Sequence, residues 1–186
     1  MPQSFARIVQ SIKDSQPPHG ITSRIVALDG PGASGKSTLA RRLAKTLGAP
    51  TIQTDDFASQ DNPLNWWPQL LEQVLVPLAK NREARYQRYA WDTGEILEKR
   101  SVAPSEFIML EGVTSSREAF RPYLAFSIWV ETPRTERLRR GLKRDRARGD
   151  EARPLWETWM AEEDNYVEQE HPREKADVIV DGTRRL

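Results

Sequence analysis

Apolar residues along this chain fall into two kinds of pattern. Four runs are continuously apolar between polar ends: Arg24–Asp29, Glu106–Glu111, Ala125–Glu131 and Ala176–Asp181, with a weaker fifth at Thr51–Asp55. Short runs without alternation are those of strands buried on both faces. Between them, apolar positions recur at helical spacing. Leu39, Leu43 and Leu47 mark a helix over Lys36–Leu47. Trp67, Leu70, Leu71, Val74, Leu75 and Leu78 mark another over Trp67–Leu78, which Pro77 is expected to end or kink. A third covers Pro133–Arg148, and a fourth runs from about Pro154 to Glu170, with proline suited to its first turn. Phe5, Ile8, Val9 and Ile12 predict a short amphipathic helix, broken by Gln16-Pro17-Pro18-His19-Gly20. This helix is expected to pack on the domain, with a partner or dimer contact as the alternative.

Alternating strands and helices predict an α/β fold, a five-stranded parallel sheet with helices on both faces. Ligands of such sheets bind at the carboxyl ends of the strands. The whole span 1–186 reads as one domain. Residues 1–20 form an N-terminal helix and linker, 58–100 an insertion, and 133–150 a helical arm.

Composition narrows the chemistry. Lys+Arg is 28 and Asp+Glu is 27, a net charge of +1. Neither nucleic acid nor a membrane is expected as a partner on that balance. The absence of cysteine excludes disulfides, thiolate catalysis and Cys-based metal sites. The two histidines, His19 and His171, both lie beside prolines, which argues against a His-centred triad. The opening Met-Pro-Gln-Ser-Phe-Ala-Arg lacks the apolar run of a secretory leader, and no run is long enough to span a bilayer, so the expected compartment is the cytoplasm.

The first predicted strand ends in Gly30-Pro31-Gly32-Ala33-Ser34-Gly35-Lys36-Ser37-Thr38, which satisfies G-x-x-x-x-G-K-[ST] at every fixed position. Glycines let successive amides point inward around phosphates, and the next helix offers its N-terminus to the same anion. Lys36 is expected to reach the β- and γ-phosphates of ATP, and the Ser37 hydroxyl to ligate Mg²⁺. Carboxylates stand at two other strand ends. Asp55 and Asp56 follow the second strand, and Glu111 closes the third, a Walker-B-like position. Asp55 is read as the base toward an acceptor hydroxyl, Asp56 as a cap of the next segment, and Glu111 as a metal-site acid.

These pieces together resemble the uridine kinase and phosphoribulokinase branch of the P-loop kinases. That branch carries D-x-F-Y after the second strand and E-G-[IV] after the third, matched here by Asp55-Asp56-Phe57 and Glu111-Gly112-Val113. Arg137-Leu138-Arg139-Arg140, Arg144-Asp145 and Arg148-Gly149 resemble its lid, one residue short between Asp145 and Arg148. The likeness covers residues 24–150 and implies a nucleoside/nucleotide-kinase-like fold. It also implies catalysis by Asp55, with Arg144 and Arg148 as lid arginines. Departures fall where the acceptor is read. Ala58 replaces the tyrosine of D-x-F-Y, Y-D-[FW] reads Tyr89-Ala90-Trp91, and the histidine that contacts uracil is missing.

On a helix, Arg137, Arg140, Arg144 and Arg148 fall within about 80° of one another. Such a stripe suits a lid over triphosphate, since guanidinium binds phosphate oxygens bidentately. Gly141 reads either as a hinge of that lid or as a point of close approach. The insertion offers Asp61, Trp66, Arg85, Arg88, Tyr89 and Trp91 as substrate contacts, and Arg117 adds another. Trp67, on the apolar stripe, reads as core, and Trp66, off it, as free to face a ligand. Trp156, Trp159 and Met160 read as core, and Glu162, Glu163 and Asp164 as a solvated face. Asp181-Gly182-Thr183 resembles the loop beside adenine in this branch.

The expected activity is transfer of the γ-phosphoryl of MgATP to a small-molecule hydroxyl, most simply of a nucleoside-like acceptor. The alternatives are a nucleoside monophosphate kinase, with Arg85, Arg88 and Arg117 as a second phosphate clamp, and a nucleotide-binding regulator or ATPase. A homo-oligomer remains open. No N-K-x-D guanine motif is present.

Overall fold

The computed structural model describes residues 4–59, 62, 65–89 and 95–184, with residues 96–98, 148 and 150 described by their backbone alone. Five strands, β1 (Arg24–Asp29), β2 (Thr51–Gln53), β5 (Phe107–Glu111), β6 (Leu124–Glu131) and β7 (Val178–Asp181), form one parallel sheet in the order β2-β5-β1-β6-β7. The expected sheet is present. β2 is shorter than its apolar run implied, because Thr54–Asp56 tightens into one 3₁₀ turn.

Two apolar clusters cover the sheet. On one face, α1 (Phe5–Asp14) and α2 (Lys36–Leu47) bury Ile8, Ile12, Leu39 and Leu43 against Val26, Leu28 and Ile128. The N-terminal helix therefore packs on its own domain, and Arg42 lies over the Phe5 ring at 4.3 Å. On the other face, Leu70, Val74, Leu75 and Leu78 bury against Ile25, Ile108 and Leu110.

That second cover is helical from Trp67 to Ala79, but not uniformly so. α3 (Trp67–Leu70) leads through a π-helical stretch, Leu71–Leu75, into α4 (Val76–Ala79). Pro77 cannot donate a ladder hydrogen bond and its ring crowds the preceding turn; the widened stretch just before it relieves both conflicts. The helix is modulated, not ended. Beyond it lies an element the apolar pattern did not reveal. β3 (Ala84–Tyr89) and β4 (Ile96–Val102) form a separate antiparallel hairpin inside the insertion.

The arm after β6 is α5 (Arg134–Arg144), a 3₁₀ segment over Arg146–Glu151, and α6 (Ala152–Glu170). Gly149, with φ 58° and ψ −133°, breaks the helical path. α5 thus ends at Arg144, short of the Arg148 expected for this helix. Among the described residues no helix is long and apolar enough to cross a membrane.

Candidate active site

β1 runs directly into the loop Gly30–Gly35. Its backbone enters positive φ at Gly30 (140°), Ala33 (59°) and Gly35 (106°), which turns amides toward one side. At Gly30 no other residue fits, since a Cβ would stand 2.4 Å from the Val130 carbonyl oxygen. Gly35 caps α2, so the positive end of that helix faces the same concavity. Lys36 is buried, and its Nζ donates to the Pro31 carbonyl at 2.9 Å. Thr132 Oγ1 donates to the Ser34 carbonyl at 2.9 Å and fixes the back of the loop.

A cavity of about 680 Å³ opens over this loop, lined by Gly32 to Thr38, Asp55, Glu111, Arg140 and Arg144. Glu111 ends β5 between the ends of β1 and β2, in register with Leu28 and Gln53. Ser37 Oγ donates to Glu111 Oε1 at 3.0 Å. Burial pushes the Glu111 carboxyl above the ordinary range, against the pull of the Lys36 ammonium and the Ser37 hydroxyl, while the Asp55 charge adds to the rise. Asp55 is exposed on the turn after β2 and forms part of the cavity wall. One hydroxyl and two carboxylates around a phosphate-shaped loop fit a hard cation that completes its shell with phosphate oxygens.

The adjacent acid has different surroundings. Asp56 is buried; it accepts from Tyr86 Oη and Arg100 Nη1, each at 3.2 Å, and Arg88 Nε lies 3.5 Å away. Burial pushes its carboxyl up despite both guanidinium groups. Asp56 therefore pins the hairpin to the turn that carries Asp55, a larger task than capping. Phe57 stacks on Tyr86 at 4.9 Å beside it.

The sequence model of the phosphoribulokinase / uridine kinase family matches residues 53–185, about seven-tenths of the chain. This chain belongs to that family. The cytidylate kinase model also matches residues 26–58, the phosphate loop and the strand after it. No curated protein matches. Among solved structures, a possible uridine kinase from Bacillus stearothermophilus superposes with a TM-score of 0.70 at 23% identity, covering 95% of this chain and 97% of that one. A candidate fructose transport system kinase from Silicibacter sp. TM1040 superposes with a TM-score of 0.68 at 19% identity, covering 95% and 98%. At these identities the likeness is one of fold.

In this P-loop kinase the arginines expected to form a lid do not make one free stripe. Arg137 is buried and its Nη1 donates to Glu163 Oε2 at 2.9 Å. Arg140 Nη1 reaches the carbonyls of Gly182, at 3.1 Å, and of Ala33 and Ser34, both at 3.4 Å. Arg144 remains mostly exposed and lies over the Trp156 ring at 5.0 Å, on the cavity wall. The side chain of Arg148 lies outside the described residues. Gly141 is a point of close approach, since a Cβ there would meet the Trp156 indole at 2.4 Å. Gly182 lies equally close to the loop, where a Cβ would stand 2.0 Å from the Ser34 carbonyl oxygen.

The insertion residues separate. Trp66 is buried against Phe57 yet contributes to the cavity wall, whereas Trp67 is half-buried under the Arg117 guanidinium at 5.3 Å. Trp66 is thus more buried than expected but stands on the cavity wall, and Trp67 packs against the second apolar cluster with part of its surface exposed. Arg117 also pairs with Glu170 at 3.5 Å, and Arg85 with Glu83 at 2.7 Å. Neither these two arginines nor Tyr89 lines the cavity. Asp61 and Trp91 lie outside the described residues.

The α6 side of the wall escaped the sequence reading, at Trp159 and Glu163 above all. Trp159, expected in the core, is half-buried and faces the cavity, edge-on to Trp156. Glu163, expected in solvent, is buried and accepts from the Gly32 amide at 2.8 Å. The signal lay in the spacing. Trp156, Met160, Glu163 and Tyr166 form the buried face of α6, and Glu163 sits on it at the seventh position. A further acid in the loop's support is Asp29, buried at the end of β1. Its carboxylate accepts from the amides of Gly30, Thr114 and Ser116, from Ser116 Oγ and, at 2.6 Å, from Tyr166 Oη.

Proposed function

We propose that this kinase transfers the γ-phosphoryl of MgATP to a hydroxyl of a small, nucleoside-like molecule. The observation that carries the reading is the convergence of Asp55, the Ser37–Glu111 pair, Lys36 and Arg144 on one cavity over the phosphate loop. When bound, ATP supplies the phosphoryl group and Mg²⁺ offsets charge on the phosphate oxygens. Loop amides and Lys36 hold the β- and γ-phosphates. Ser37 and Glu111 would hold the cation, with Asp55 on the same wall. Asp55 takes the acceptor's proton as the new O–P bond forms and the bond to ADP breaks. Arg144 closes over the transferring group from the lid side.

A hydroxyl acceptor is favoured over a nucleoside monophosphate. Arg85, Arg88 and Arg117, which would have to clamp a second phosphate, pair with Glu83, Asp56 and Glu170. The names of the two structural neighbours make nucleosides and sugars the first classes to try. The test is ADP release from MgATP across a panel of nucleosides, nucleotides, sugars and vitamin alcohols. Release that depends on one hydroxyl class and is lost in Lys36→Ala supports the reading. Release that ignores the acceptor overturns it.

A further inference from the structure

The peptide unit between Pro31 and Gly32 is held at both poles. Its carbonyl accepts from Lys36 Nζ at 2.9 Å, and its N–H donates to Glu163 Oε1 at 2.8 Å. The two contacts belong to one rigid plane, so the carboxylate on α6 determines which way the lysine's carbonyl partner faces. The other oxygen of Glu163 is taken by Arg137 of the lid helix at 2.9 Å. Both charged side chains are almost wholly buried, at 9% and 5% exposure. This arrangement joins three segments far apart in sequence: the loop at Gly32, the lid at Arg137 and α6 at Glu163.

Two further features argue that the contact is built. A Cβ at position 32 would stand 2.8 Å from Glu163 Oε1 and 3.2 Å from Trp156 Cζ3, so a side chain there would push the carboxylate off its present place. Arg137 Nε is buried with no hydrogen-bond partner among the described residues, a cost accepted to keep the guanidinium on Glu163. A purely structural brace between α5 and α6 would need neither the loop amide nor a glycine at 32.

We infer that Glu163 is a positioning residue of the nucleotide site. It fixes the Pro31–Gly32 peptide so that Lys36 is presented to the phosphates, and it ties that setting to the lid through Arg137. This inference rests on the reading of the loop as the ATP site. A carboxylate near a phosphate site would ordinarily repel the ligand. Here its charge is balanced by the Lys36 ammonium and by Arg137, and its hydrogen bond to the loop goes to an amide that faces away from the lysine.

Removing Glu163 alone strands a buried guanidinium and endangers the fold. The informative variants therefore change both partners. Arg137→Met with Glu163→Leu replaces the pair by apolar groups of similar size and deletes the amide acceptor. Arg137→Met with Glu163→Gln drops the charges but keeps an oxygen for Gly32. Two readouts are needed: the ATP and acceptor KM, and Gly32 amide exchange in ¹⁵N-glycine-labelled protein, where only 10 glycines contribute signals.

The Leu variant is expected to exchange Gly32 at least tenfold faster. It should also raise the ATP KM about 10- to 100-fold, the worth of one charge-assisted hydrogen bond, with the acceptor KM unchanged. The Gln variant should recover most of both losses. Unchanged Gly32 exchange in the Leu variant overturns the inference, as does an equal rise in both KM values. If the wild-type protein binds no ATP, the proposed function fails, and the Gly32 exchange rates still decide whether Glu163 sets the loop.

Discussion

Ser37 and Glu111 meet across 3.0 Å, joining the first turn of α2 to the carboxyl end of β5. The carboxylate is buried and its pKa raised, so its charge is held for use at neutral pH at some cost to the fold. The sign follows. Protonation removes the cation ligand, so the acid limb of kcat/KM should lie above the ordinary glutamate value of about 4.3. Glu111→Gln should abolish that limb and weaken Mg²⁺ dependence roughly 10- to 100-fold.

The same shift governs stability. A carboxyl whose folded pKa is raised contributes stability below the unfolded value and loses it as pH rises through the folded one. Without ligand, Glu111→Gln should therefore melt higher than wild type near pH 8, and the gap should narrow toward pH 4 to 5. A constant gap across that range would contradict the linkage.

Neighbouring acids should fail in different ways. Asp55→Asn should cut turnover about 10²- to 10⁴-fold, the contribution of a general base, with little change in melting temperature. Asp56→Ala should cost about 1–3 kcal/mol, because it strips the partner from buried Tyr86 and from the Arg88 and Arg100 guanidinium groups. Paired thermal melts and activity assays would check both. Equal behaviour of the two variants would count against the separation.

Much of this architecture was legible in the chain. Apolar runs located all five sheet strands: β5 is buried along its whole length, and β7, whose side chains alternate between buried and exposed, is still apolar on both faces at Val178, Ile179 and Val180. The Ser37–Glu111 meeting followed from strand ends converging on the phosphate loop. The hairpin was not legible, because Arg85, Gln87 and Arg88 put charge and polarity on strands with only one buried face. Glu163 was hidden between Glu162 and Asp164, an acidic triplet that resembles a solvated face until its place on the spacing of Trp156, Met160 and Tyr166 is counted. The π stretch over Leu71–Leu75 depends on how a helix absorbs Pro77, which no periodicity records.

Gly141 would ordinarily gain about 1 kcal/mol on replacement by alanine in a helix. Here the new Cβ would lie 2.4 Å from an indole that Trp156 Nε1 anchors to Asp145 Oδ2 at 2.8 Å. Overpacking costs about 1–3 kcal/mol and should win. Gly141→Ala is thus expected to lower stability in urea unfolding, and Trp156→Leu should relieve the added loss.

Arg144 is mostly exposed and contacts Asp145 and the Trp156 ring, so it contributes little to the fold. It stands on the cavity wall, and the proposed function gives it a role in the transition state. Arg144→Ala should lower kcat by about 10²-fold or more while shifting the unfolding midpoint by less than about 0.5 kcal/mol. A fall in stability with kcat preserved would return Arg144 to a structural role.

The central claim is that Asp55 delivers an acceptor hydroxyl to the γ-phosphoryl group over this loop. The most direct measurement follows the label of γ-³²P-ATP in a single turnover with the acceptor that stimulates ADP release, in wild type and in Asp55→Asn. The account predicts label in an organic phosphate monoester for wild type and almost none for the variant over the same time. Label released as inorganic phosphate regardless of acceptor, or transferred equally well by Asp55→Asn, would contradict it.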